Sequence, residues 1–158
     1  MPKSFSPIAD ERSRVLILGT MPSVESRKAG FYYAHPRNHF WQVVSTCLNE
    51  PFPRLVEEKM QMLLKNQIAL WDVLESCEIK GSSDSSIKEP IYNDISSFIK
   101  NKPIEKILCN GTKAYKLCLS RKLSLPIFCM PSTSPANAAW SLERLTEAWR
   151  RELYRGYK

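Results

Sequence analysis

The chain is expected to fold as a three-layer α/β/α sandwich around a central, mostly parallel four-stranded sheet. Three observations predict this. Short apolar runs, led by VLIL at 15–18, have the length and branching of strands buried on both faces. Between these runs lie segments of helical spacing, and strands that alternate with helices require parallel pairing through right-handed crossovers. The 158 residues suffice for one domain with a full core. A single domain over 1–158 is therefore expected.

Taken in order, residues 1–14 place Pro2, Ser4, Ser6 and Pro7 around Phe5 and Ile8, an irregular N-terminal arm lying over the surface. The first strand at 15–18 is stopped by Gly19. Thr20, Pro22, Ser23 and Ser26 follow as a turn-rich loop. A helix is expected at 40–48 with Asn38 near its cap. Pro51 and Pro53 then break the chain. The helix at 55–66 carries Val56, Met60, Leu63 and Leu64 along a core-facing side.

IALWDV at 68–73 is the second strand, with Asp72 as the one charge at its end. Residues 75–89 hold Gly81 and five serines and read as a surface loop. A short helix at 94–100, capped by Asn93, ends before Pro103. The third strand is placed at 104–109, a tight turn at Asn110 and Gly111, and a helix at 112–119. The fourth strand at 125–129 opens into a Pro/Ser loop at 131–137. A last helix at 141–154 turns Leu142, Leu145, Trp149 and Leu153 inward.

Composition narrows the function. With 43% hydrophobic and 25% charged residues, the chain is neither disordered nor fibrous. Its 23 basic against 16 acidic residues leave +7, which suits a polyanionic partner. The five cysteines show no C-x-x-C pair and no zinc-type spacing, so free thiols in a reducing compartment are expected, with no metal. No apolar run approaches a membrane span, and the start lacks the apolar core of a signal peptide. A cytoplasmic monomer is expected.

The loops after the first, second and fourth strands share one edge of a parallel sheet, where such folds bind ligands. They carry Gly19, Thr20, Met21, Pro22 and Ser23; Asp72; and Ser132, Thr133, Ser134, Pro135, Ala136 and Asn137. The segment at 31–41 adds Tyr32, Tyr33, His35, Arg37, Asn38 and His39 between Phe31 and Phe40-Trp41. Flat rings beside hydrogen-bonding groups suit a flipped-out base, stacked on its face and read on its edge. Phe40 and Trp41, at a helix start, are read as core. For Asp72 the plainer alternative is a helix cap or a turn bond.

GTMPS at 19–23 together with YYAHPRNHFW at 32–41 resembles the first motif region of the uracil-DNA glycosylase superfamily. The second segment is similar to the F-A-H-P-x-N-x-F-W run of mismatch-specific uracil glycosylases, and G-T-x-P-S to the hypoxanthine (deoxyinosine) branch. The likeness extends to LWDV at 70–73, CNGTKA at 109–114 and PSTSPANA at 131–138. It implies a monofunctional glycosylase that removes deaminated bases, chiefly hypoxanthine, from DNA by N-glycosidic hydrolysis without a cofactor. Some relatives hold an iron–sulfur cluster through N-terminal cysteines; here the first is Cys47, so none is expected.

Two positions depart from the superfamily pattern. Met21 stands where an Asp or Asn usually positions the water, and Ser132 where a histidine usually stabilises anionic uracil. The resemblance then assigns water positioning to Asn38, and base binding to Gly19, Thr20, Met21, Tyr33 and Asp72, with Tyr33 stacking. Pro22, Ser23 and the six residues from Ser132 to Asn137 are the implied DNA contacts. The alternatives are a mismatch-specific uracil or xanthine glycosylase, and a nucleic-acid-binding module without catalysis.

Overall fold

The structure, a computed structural model, describes residues 5–78 and 88–153. In chain order it runs β1 (Val15–Gly19), α1 (Val24–Ala29), α2 (Phe40–Cys47), α3 (Val56–Lys65) and β2 (Ile68–Asp72). There follow β3 (Leu74–Glu78), β4 (Lys88–Tyr92), α4 (Ile95–Lys100), β5 (Lys106–Asn110), α5 (Thr112–Leu119), β6 (Ile127–Met130) and α6 (Leu142–Leu153). Four strands form one parallel sheet in the order β2-β1-β5-β6. The expected architecture is observed.

Alternation along β1 explains the layers. Val15 and Ile17 join Phe40, Val43, Leu63, Leu145 and Trp149 on one face, the side of α2, α3 and α6. Leu16 and Leu18 join Ile95, Ala114 and Cys118 on the other, the side of α4 and α5. All four side chains are fully buried, because a central parallel strand has no solvent face. The chain leaves β1 toward β2 on one side and returns to β5 on the other. That reversal opens a crevice at the carboxyl end of β1.

Several local expectations need correction. The loop after β1 contains a helix, α1: Ser23 Oγ accepts the Ser26 N–H at 3.1 Å, and Gly30 closes the other end at φ 76°. In α3, Val56 and Met60 are exposed while Met62 and Leu63 are buried, so the buried face is rotated from the expected one. The expected surface loop at 75–89 is in part a hairpin, with β3 and β4 antiparallel through Leu74–Tyr92, Ser76–Ile91 and Glu78–Lys88 pairs. Its segment 79–87 lies outside the described residues.

Asp94, not Asn93, caps α4 by accepting the Ser97 N–H at 3.1 Å. Asn93 instead donates its side-chain amide to the Asp72 carbonyl at 2.8 Å, tying down the end of β2. The N-terminal arm is more than a surface cover, since Ile8 is buried and exchanges two 2.9 Å backbone bonds with Leu70 on the outer edge of β2. Residues 1–4 and Tyr154 lie outside the described residues. No described helix is long and apolar enough to cross a membrane.

The cap on α1 supports a first prediction. Ser23→Ala should destabilise the protein by about 1 kcal/mol, the usual cost of a lost N-cap. Thermal melts of Ser23→Ala and Ser23→Asp check it, the Asp variant retaining the cap and the parent melting point.

Candidate active site

Four strand ends meet at the crevice, Gly19 paired in register with Asp72, and Asn110 with Met130. The loops beyond them enclose a cavity of about 460 Å³. Of the expected site residues, Gly19, Thr20, Met21, Pro22, Ser23, Tyr33, Asn38, Asp72, Ser132, Thr133, Ser134 and Ala136 line it. Pro135 and Asn137 lie instead on an adjoining hollow that shares Tyr33, Asn38 and Ser134 with the first. The cavity also takes in Ser26, Arg27, Tyr32 and Asn110.

Asn38 is held by a closed chain of bonds. Its Oδ1 accepts the Phe40 N–H at 2.9 Å, an Asx turn leading into α2 from the position before its N-cap, His39, and the Thr133 hydroxyl at 2.8 Å. The Thr133 hydroxyl accepts from Asn110 Nδ2 at 3.0 Å, and the Thr133 N–H donates to Asn110 Oδ1 at 3.0 Å. Both lone pairs of Asn38 Oδ1 are thus committed, and the Phe40 N–H forbids the flipped amide. A capping oxygen with one lone pair to spare, as the cap position alone suggests, is therefore not what the fold presents. Asn38 offers the cavity its Nδ2 hydrogens, which have no acceptor among the described residues.

Asp72 caps nothing. It is 3% exposed, and its Oδ2 is buried with no hydrogen-bond partner among the described residues. Burial pushes its carboxyl up to about 7. The Tyr33 hydroxyl is likewise buried with no well-formed hydrogen bond among the described residues, the Asn110 side chain being its near polar neighbour. Burial first, and then the neighbouring Asp72 charge, raise the Tyr33 phenol, so it stays protonated. Both groups converge on Gly19: a Cβ there would stand 2.7 Å from Asp72 Oδ1 and 2.8 Å from the Tyr33 hydroxyl oxygen. Glycine is required at this strand end by space.

The two tyrosines divide core from site. Tyr32 is buried and its hydroxyl donates to the Ser6 carbonyl at 2.8 Å, anchoring the arm. Tyr33 takes φ 52°, a left-handed conformation unusual for an aromatic residue, and its ring stacks on Phe40 at 4.1 Å. Phe40 and Trp41 are core, as expected. Ser26 Oγ accepts the Ala34 N–H at 3.0 Å and so ties the two halves of the loop together.

Met21 packs half-buried against the apolar cluster on the Leu18 side of the sheet, and Ser132 Oγ accepts the Ser134 N–H at 3.1 Å. Neither can take up or supply a proton near neutrality. Thr133 departs from its expected role as a DNA contact: it is fully buried, its hydroxyl and N–H spent on Asn38 and Asn110. Sequence reasoning read Asn110 only as a turn residue and missed its part in this chain of bonds. Its position at a strand end, on the same sheet edge, is the signal that could have found it.

The family model for the uracil DNA glycosylase superfamily matches residues 6–155. The chain is 35% identical over 148 residues to a hypoxanthine DNA glycosylase of Methanosarcina acetivorans, covering 92% of this chain and 94% of that one. A hypoxanthine DNA glycosylase of Methanosarcina barkeri is 32% identical over 114 residues, 71% of this chain and 72% of its own length. A solution NMR structure of a uracil-DNA-glycosylase-type protein from Methanosarcina acetivorans superposes with a TM-score of 0.84. Its identity is 34%, over 96% of this chain and 95% of that one.

Proposed function

The chain belongs to the uracil DNA glycosylase superfamily, and from that premise we propose that it excises hypoxanthine from DNA by hydrolysing the N-glycosidic bond. The observation that carries this reading is the pair of buried polar groups, Asp72 and the Tyr33 hydroxyl, left without a well-formed partner among the described residues and lining a cavity that admits a purine base. Buried polar groups ordinarily find partners. Here a ligand supplies them, and the keto oxygen of hypoxanthine beside its N7 is an edge that a phenol and a neutral carboxyl can read together.

Hypoxanthine is favoured over uracil by what is missing. Uracil leaves as an anion and needs a cationic or strongly donating group, whereas Ser132 is committed to its own turn and Met21 is apolar. Asn38 Nδ2 holds the attacking water through one of its lone pairs and leaves the other for C1′. An amide is a positioner there, not a base. The Tyr33 ring is stacked on Phe40, which aims its hydroxyl, so in this reading Tyr33 meets the base by that hydroxyl and not by the face-on stacking the resemblance implies. Pro22, Ser23, Ser132, Ser134, Pro135, Ala136 and Asn137 flank the opening toward the DNA. In this reading the protein acts as a monomer. It works in the cytoplasm, where the free thiols of Cys47, Cys109, Cys118 and Cys129 suit a reducing environment.

The test is a panel of DNA carrying hypoxanthine, xanthine or uracil, each treated with the protein and then with alkali to cleave abasic sites. Breaks are expected at hypoxanthine ahead of the others. Binding to all three without breaks would leave only a silent DNA-binding module. Affinity should also fall more than about tenfold between about 50 and 200 mM salt, because phosphate contacts from a chain of net charge +7 release counterions. Fluorescence anisotropy with labelled duplex measures this. A flat salt response would remove DNA as the partner.

A further inference from the structure

We propose that Asp72 is the general acid of the reaction, its carboxylic proton passing to N7 of hypoxanthine as the C1′–N9 bond breaks. This rests on the hypoxanthine reading above and deepens it, because Asp72 there is only a recognition group. The geometry is the first support. Among the residues lining the cavity Asp72 is the one carboxyl, and Arg27, Tyr32 and Tyr33 are the other titratable groups. Arg27 Nη1 donates to the Pro22 carbonyl at 3.2 Å, and the Tyr32 hydroxyl is spent on Ser6.

The groups packed around Asp72 offer no counter-charge. From the loop before α2 come the Tyr33 and Tyr32 phenols, both pushed up by burial and then by Asp72 itself. From β1 comes Gly19, from β5 Cys109 and Asn110 beside Tyr33, and from the loop before α4 the Asn93 amide, which holds the Asp72 carbonyl and not its carboxyl. No described cation forms an ion pair with Asp72. An ionised carboxylate with an unpartnered buried oxygen would be left uncompensated, so the site favours the neutral acid. With the carboxyl raised to about 7, that acid is populated near neutral pH and is still able to give up its proton.

N7 is the acceptor on chemical grounds. N1 of hypoxanthine already carries a hydrogen, N3 lies beside the sugar, and N7 has a free in-plane lone pair. Protonation there lets the electron pair of the C1′–N9 bond settle on a neutral base. The sugar is left as an oxocarbenium ion, water adds to C1′, and the proton that water loses restores the Asp72 acid. One water is consumed and nothing else.

Single-turnover excision by the wild-type protein and by Asp72→Asn, on DNA carrying hypoxanthine or 7-deazahypoxanthine and across pH 5.5 to 9, tests the proposal. For hypoxanthine the wild-type rate should fall as pH rises through about 7. Asp72→Asn should be about a hundredfold slower at low pH, with that descending limb gone. On 7-deazahypoxanthine, which has no N7 lone pair, the substitution should change the rate little. A similar Asp72→Asn loss on both bases, or an unchanged descending limb, would overturn proton donation to N7 while leaving hypoxanthine excision standing. A wild-type protein that cuts at neither base would sink the underlying reading instead.

Stability gives an independent readout of the same proton. A carboxyl whose folded pKa is raised binds more protons folded than unfolded, so its contribution to stability is fully present below the unfolded pKa and is lost as pH rises through about 7. Asp72→Asn should therefore melt above the wild type at pH 8, with the gap narrowing toward pH 5. A gap that does not change with pH would mean that Asp72 is ionised throughout, and would remove the acid.

Discussion

Asn38→Ala is expected to slow single-turnover excision of hypoxanthine about a thousandfold, at the upper end of what one preorganised donor supplies. Binding to hypoxanthine-containing DNA should change little, because the Nδ2–H bond to water matters chiefly in the transition state. The same substitution removes the Asx-turn bond to the Phe40 N–H and one acceptor for the buried Thr133 hydroxyl. A stability loss of roughly 1 to 3 kcal/mol should accompany it, since a buried hydroxyl loses its acceptor. Asn38→Ser separates the two effects: a serine hydroxyl restores the turn bond to the Phe40 N–H, so the melting point should recover in part, while the rate should not. An Asn38→Ala protein that excises at the parent rate would reduce Asn38 to a structural turn residue.

Gly19→Ala should be about as damaging to excision, also on the order of a thousandfold, through crowding and not through the loss of any functional group. The added Cβ would sit 2.7 Å from Asp72 Oδ1 and 2.8 Å from the Tyr33 hydroxyl oxygen. Neither neighbour gives way easily. Asp72 is short and buried at the end of β2, and the Tyr33 ring is stacked on the fully buried Phe40. Displacing them costs about 1 to 3 kcal/mol of stability by overpacking and removes the two groups that read the base. Excision rates and melts of Gly19→Ala measure both. Parent-level excision by a stable variant would show that the close approach at Gly19 has no part in base recognition.

Much of this is legible in the residues themselves. The buried runs at 15–18 and 68–73 declared parallel strands because they leave no polar face, and the Ser, Pro and Gly clusters after them declared loops at one sheet edge. Helix α1 was legible in principle, for Ser23 and Gly30 are ordinary cap residues, but its six residues are too few to show periodicity. The hairpin of β3 and β4 was not. Its strands are polar, irregular in register, and joined by pairing across a serine-rich segment. The apolar spacing of α3 suggested a buried face, yet Val56 and Met60 are exposed, since a helix with apolar residues on more than one side is oriented by its neighbours.

The sequence alone determined the sheet, its layers and the loops that form the crevice, together with the departures at Met21 and Ser132. These are local properties, set by side-chain period, turn chemistry and residue identity. Only the tertiary structure decided the state of the site. Thr133 reaches Asn38 from 95 positions away and takes its second lone pair, which converts an expected acceptor into a donor. Asp72 could have been a cap or a turn bond, and became a buried carboxyl without a partner because Asn93 holds its carbonyl while Gly19 and Tyr33 close over its side chain. Lone-pair accounting and desolvation depend on which distant groups arrive at a given point, and a linear pattern does not carry that information.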